Sequence, residues 1–137
     1  MDNEKTPAQL WDGVRDLHDH LAAGDKGYEQ VPGHQQDDGL FVMGWIRHED
    51  WLWHGIWDGI NLLDTHLHGD WKPYYDHLNN DRVPLIPQAT RDELTAWFIL
   101  LGNRERIVEG LIASFVDSGA VLKLTTRFFE LVERPES

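Results

Sequence analysis

Apolar residues recur every three or four positions along most of this chain, the spacing that gives a helix one water-avoiding side. The first such run, Leu10, Val14, Leu17 and Leu21, follows Thr6-Pro7-Ala8-Gln9. Thr at the cap, Pro at the first helical position and Gln three residues after the cap predict a helix start closed by a capping box. Gly24 supplies the stop. From Gly24 to Gly39 the pattern fails, because "GDKGYEQVPGHQQDDG" holds four glycines, a proline and almost no apolar content. That stretch predicts a long loop over 24–39. Leu40 to Met43 fits either a short buried strand or an extended lead-in.

From Asp50, a suitable N-cap, Trp53, Ile56, Trp57, Ile60, Leu63 and Leu67 step by three or four without a gap. The spacing predicts one continuous helix over 50–68, ended by Gly69 with Pro73 beyond. Gly55 and Gly59 each cost about 1 kcal/mol relative to Ala in a helix. Tertiary packing must therefore hold this segment, and the bare backbone at those points admits another element closely. "PYYDHLNN" fits a helical turn or two, and "VPLIPQ" reads as an extended connector because each proline pushes its predecessor away from helix. Thr90-Arg91-Asp92-Glu93 is a second capping box. Behind it Leu94, Trp97, Phe98 and Leu101 share a face and Ile99 and Leu100 lie on others, so this helix is expected to be buried nearly all round. Asn103 reads as the cap of a further helix with Ile107, Val108, Leu111, Ile112 and Phe115 inward and Gly119 as its stop. Val121, Leu124, Phe128 and Val132 mark a last helix, followed by a frayed tail.

The fold expected is all-α: one domain over 1–137, a bundle of five or six helices, with a long loop at 24–39 and frayed ends at 1–5 and 134–137. No hairpin signature or internal repeat is read. A length of 137 residues suits one hydrophobic core. The absence of cysteine excludes disulfides, thiolate nucleophiles and cysteine-held metals. The polar N-terminus lacks the apolar stretch of a signal peptide, and no run approaches the roughly 20 residues that span a bilayer. A cytoplasmic protein is expected. A net charge of −12 repels phosphate backbones and anionic lipid, so neither nucleic acid nor membrane is an expected partner.

Two polar sets raise the question of chemistry. Asp64-Thr65-His66-Leu67-His68 looks like the opening of a metal-dependent hydrolase barrel. Histidines two apart share a face on a strand but diverge by about 200° on a helix. The unbroken helical spacing favours the helix, and only 69 residues follow His68 where such a barrel needs roughly 250 in all. Asp50, His54 and Asp58, spaced by four, lie along one helix face and with His66 form the candidate metal set. No second carboxylate-and-His motif matches them, and solvated side-chain pairing is the plainer reading. No phosphate loop, nucleophile elbow or metalloprotease signature is present. No cofactor is expected.

The run Leu101 to Leu131 resembles the C-terminal signature of the uncharacterised bacterial family called domain of unknown function 6508. The positions that fit are Arg106, Glu109, Gly110, Ser118, Gly119 and Arg127, with "GLFVM" and Asp50-Trp51 upstream. Ile107 stands where the family prefers Phe, and Asn103 where it often has Arg. The resemblance implies no activity. Read physically, Arg106 and Glu109 can pair across one helix surface and Gly110 gives close helix approach, a structural motif.

Seven tryptophans, five of them between Trp45 and Trp71, are the most unusual feature. Trp53 and Trp57 fall on the apolar stripe and are expected in the core. Trp45, Trp51 and Trp71 fall off it and are the candidate binding surface. The leading expectation is a binding module, not an enzyme, that uses this surface to hold another protein or a second copy of itself. The alternatives are a metal-dependent hydrolase using the Asp/His set, and an immunity- or antitoxin-type protein that masks a basic partner.

Overall fold

The computed structural model describes residues 5–105 and 110–137. Most of these are helical, and a few short antiparallel strands join the helices. Helix α1 (Pro7–Ala22) begins with the capping box expected: Gln9 N–H donates to Thr6 Oγ1 at 3.2 Å and Thr6 N–H to Gln9 Oε1 at 2.9 Å. Its inward face is Leu10, Val14, Leu17 and Leu21.

The segment expected as a long loop is instead largely ordered into ribbon. Strands β1 (Tyr28–Val31), β2 (His34–Gln35), β3 (Phe41–Val42) and β4 (Trp45–His48) pair antiparallel, β1 with β4 and β2 with β3. Tyr28 faces His48, Val31 faces Trp45, and His34 faces Val42, so both ladders keep one register. The register extends at each end, through Glu49 N–H to Gly27 O at 2.7 Å and Gln36 N–H to Leu40 O at 2.7 Å. This is one long hairpin interrupted at Pro32-Gly33 opposite Met43-Gly44. Proline has no N–H for the ladder, and the chains come so close there that a Cβ on Gly44 would sit 2.7 Å from Val31 O. The turn is at Asp38-Gly39: Gly39 takes φ +89° and Leu40 N–H donates to Asp38 Oδ1 at 3.0 Å. That Asp-Gly pair is a hairpin signal.

Helix α2 (Asp50–Ile60) starts one residue earlier than expected, with Glu49 and not Asp50 at the cap. It runs without interruption into a single π turn (Asn61–His66), where Leu67 N–H reaches back five residues to Leu62 O at 2.9 Å. The adjacent Leu62 and Leu63 of this turn are both fully buried. The chain leaves the helix at His68, φ +54°.

Beyond a short helix α3 (Lys72–Tyr75), the "VPLIPQ" segment is not extended but lies in a 3-10 helix over Asn80–Gln88, started by Asn79 Oδ1 accepting from Asp81 N–H at 3.0 Å. Helix α4 (Arg91–Arg104) carries the second capping box, and every residue from Leu94 to Gly102 is buried. Asn103 lies inside α4 and is not the cap of a described helix. Helix α5 (Leu111–Asp117) follows Gly110, and Gly119 at φ +82° divides it from α6 (Ala120–Leu131). Ile107 and Val108 fall outside the described residues.

Helix α4 is the central element, packed by α2, α3, α5 and α6, while α1 lies across α2 and α6. Gly55 and Gly59 serve as the spacing predicts. A Cβ on Gly55 would sit 2.6 Å from Leu17 Cβ of α1, and one on Gly59 2.5 Å from the Phe98 ring of α4. In the C-terminal tail Arg134 makes two 2.9 Å hydrogen bonds to Asp12, and Ser137 O accepts from Ala8 N–H at 3.4 Å.

Candidate binding surface

Alternation along the ribbon sorts its side chains. Val42, Ile46 and His48 are half-buried, whereas Phe41, Met43, Trp45 and Arg47 are exposed. Phe41, Met43 and Trp45 are 66%, 77% and 48% exposed, as large apolar groups rarely are. They lie two residues apart along the returning half of the ribbon, with Met43 in the break between β3 and β4. Leu40 extends the patch at the turn. The base of the ribbon is anchored: Tyr28 Oη lies 2.7 Å from each oxygen of Asp117 and donates its one proton to that carboxylate, and Lys26 Nζ donates to it at 3.0 Å. The Tyr28 hydroxyl and then the Lys26 ammonium hold the Asp117 carboxyl below its ordinary value.

At that base a cleft of about 590 Å³ opens between Trp45, Ile46, Arg47, His48, Asp50, Trp53 and Glu105. The His48 ring stacks on Trp53 with centroids 5.8 Å apart and planes 25° from parallel. Glu105 is buried and its carboxylate is fixed from behind, one oxygen accepting from Gly110 N–H at 2.9 Å and the other from Ile112 N–H at 2.7 Å. It thus caps the start of α5, where Gly110 holds φ +92°. His48 Nε2 lies 3.7 Å from Glu105 Oε2, buried and without a hydrogen-bond partner among the described residues.

Of the three tryptophans expected at the surface, only Trp45 is exposed. Trp51 is half-buried and stacks on His20 at 4.3 Å, and Trp71 is half-buried edge-on to Tyr75 at 5.3 Å. Trp53 and Trp57, expected in the core, are half-buried at its border, and Trp97 is the buried one. Spacing alone misplaces them because an indole is large enough to lean from the stripe to the surface.

Asp50, His54 and Asp58 line a second cleft of about 420 Å³ with Lys5, Asp16 and Trp51, but His66 is not part of it. Asp58 is buried and both its oxygens accept from Lys5 Nζ, at 3.0 and 2.8 Å. Among the described residues no three His, Asp or Glu side chains gather closely enough to hold a metal ion. Burial pushes the Asp58 carboxyl above its ordinary value, outweighing the opposite pull of Lys5 and His54. Lys5 is half in water, where its charge is screened. His66 is exposed on the π turn and His68 follows it on left-handed backbone, so neither belongs to a strand.

Gly110, expected to give close helix approach, instead stands at the cap of α5 with φ +92°, where an added Cβ would meet Ile46 Cδ1 at 4.0 Å and no described atom nearer; Arg106 and Glu109 lie outside the described residues. No described helix is long and apolar enough to cross a membrane. No family model, curated protein or solved structure matches the chain.

Proposed function

We propose that the protein acts by binding another protein, with the ribbon as its docking arm. One observation carries this reading: Phe41, Met43 and Trp45, spaced by two along the returning half of the ribbon, are large apolar side chains exposed to solvent. A contiguous apolar patch on a soluble surface marks an interaction site. A lone hairpin is only marginally stable in water, so a row of apolar side chains facing solvent adds nothing to the arm until something covers it. Tyr28, Ile46 and His48 secure the other face, and evolution of a free-standing arm would favour polar groups at the three outer positions.

Charge selects among occupants. Between Lys26 and Asp50 there are two basic and five acidic residues, and the whole chain carries −12. Like charge disfavours a second copy and favours a basic partner, the chemistry an immunity- or antitoxin-type protein meets. Membership of the family resembled at the C-terminal end would add no activity, and the reading does not depend on it.

The test is paired capture from extract of the source organism, using immobilised wild type and a Phe41→Ser, Met43→Ser, Trp45→Ser variant. A protein retained in stoichiometric amount by wild type and released by the variant is the expected result. Identical retention by the two columns refutes the reading.

A further inference from the structure

The cleft at the foot of the ribbon has the lining of a cation site. We infer that it receives the guanidinium group of an arginine presented by the partner. This rests on the binding-arm reading and specifies the chemistry of what binds.

Trp45 and Trp53 both line the cleft, and the His48 ring stacked on Trp53 holds that indole in place. Aromatic faces attract cations, arginine more often than lysine because its planar group also stacks. Two carboxylates complete the lining. Glu105 is fixed by two backbone donors, and each of its oxygens keeps a lone pair for a further donor. Asp50, exposed at the first turn of α2, makes no ion pair or side-chain hydrogen bond among the described residues. Arg47 is the one fixed cation in the described lining, and it is engaged by Glu29 at 3.0 Å and Glu49 at 3.8 Å. The described lining therefore keeps an excess of negative charge beside aromatic side chains, in a chain of net charge −12.

Other occupants fit less well. An anion would meet Asp50 and Glu105, and a metal ion would lack three converging ligands among the described residues. A lysine ammonium would be attracted by the same charges but would use neither the flat indole walls nor the forked acceptor geometry. The volume, about 590 Å³, is within the range of roughly 300–1,000 Å³ common to ligand pockets. Trp45 belongs to both the cleft and the apolar row, so one partner segment can present apolar side chains along the ribbon and an arginine at its foot.

The probe is N-acetyl-arginine methylamide, with the neutral citrulline analogue of equal length as its control. Titration is followed by the indole N–H resonances of Trp45 and Trp53. The arginine compound is expected to saturate in the millimolar range, with the citrulline compound at least about threefold weaker, as a partly exposed cation–π contact implies. Trp45→Ala and Asp50→Asn, both at exposed positions, are each expected to weaken the arginine compound about threefold or more. Equal binding of the two compounds, or unchanged binding by both variants with native amide spectra, overturns the inference. Met43→Ser separates the two readings, because it lies on the row and outside the cleft. If capture depends on Met43 while the arginine compound fails to bind, the cleft assignment alone falls. If the compound binds and capture ignores the row, the docking-arm reading falls.

Discussion

Replacing Lys5 by Met strands the buried Asp58 carboxylate while keeping most of the side-chain bulk. At 2.8 Å the unscreened attraction between unit charges is about 6 kcal/mol for an effective dielectric near 20 and about 1.5 kcal/mol in water. The Lys5 side chain is 45% exposed, which moves the pair toward the lower figure, and a loss of about 2 kcal/mol at pH 7 is expected. For a chain of this size that is a fall in Tm of roughly 6–10 °C. The pH dependence carries the sharper test. Burial raises the folded-state pKa of Asp58 above its unfolded value of about 3.9, so between the two values the folded protein binds more protons and loses stability as pH rises. Removing Lys5 raises the folded value further and widens that window. The deficit of the variant should therefore be full at pH 7 and shrink as Asp58 is protonated toward pH 4, with Asp16, Asp50 and His54 of the same cleft common to both proteins. Urea unfolding at the two pH values measures it. A deficit of the same size at pH 4 and pH 7 would refute the account, since a lost packing contact does not titrate. Asp58→Asn removes the charge itself and is expected to be within about 1 kcal/mol of wild type.

Gly55→Ala gains helix propensity but drives a Cβ to 2.6 Å from Leu17 Cβ, so a net loss of about 1–2 kcal/mol is expected in the same assay; a more stable variant would mean that α1 and α2 separate easily. Glu105→Ala leaves the Gly110 and Ile112 amides without their acceptor, and hydrogen exchange at Ile112 should accelerate with a stability loss of about 1–3 kcal/mol, whereas unchanged exchange would remove Glu105 from its capping role. Arg134→Ala breaks a solvent-exposed pair and should leave Tm nearly unchanged; a large fall would show that the pair holds the C-terminal tail in place. Phe41→Ser with Met43→Ser should leave Tm within about 2 °C, because neither side chain supports the core; a large fall would show that the row packs against the body.

The helical scaffold was legible because its signals are local. The boxes at Thr6 and Thr90, the glycine at 119 and the stripes of α1 and α6 each lie within a few residues of what they control. The buried girth of α4 and the close approaches at Gly55 and Gly59 were legible for the same reason. The ribbon was not, because its outer face is apolar where a half-buried strand would show polar residues, so the alternation is blurred, and the Asp38-Gly39 turn lies in a stretch crowded with other loop residues. The Lys5–Asp58 pair joins residues 53 apart, and no spacing rule reaches that far. The cleft gathers β4, α2 and the end of α4, elements that only tertiary packing brings together.

The break at Pro32-Gly33 sets how the arm can be used. It leaves paired runs of four and two residues on either side, and the proline offers an intruding strand no donor at the middle of that edge. Zippering of neighbouring molecules into fibrils thus stalls after a few rungs, although greasy side chains are on display. On the docking role proposed above, a partner would gain little from backbone pairing and would have to recognise the arm by its indole, thioether and phenyl groups.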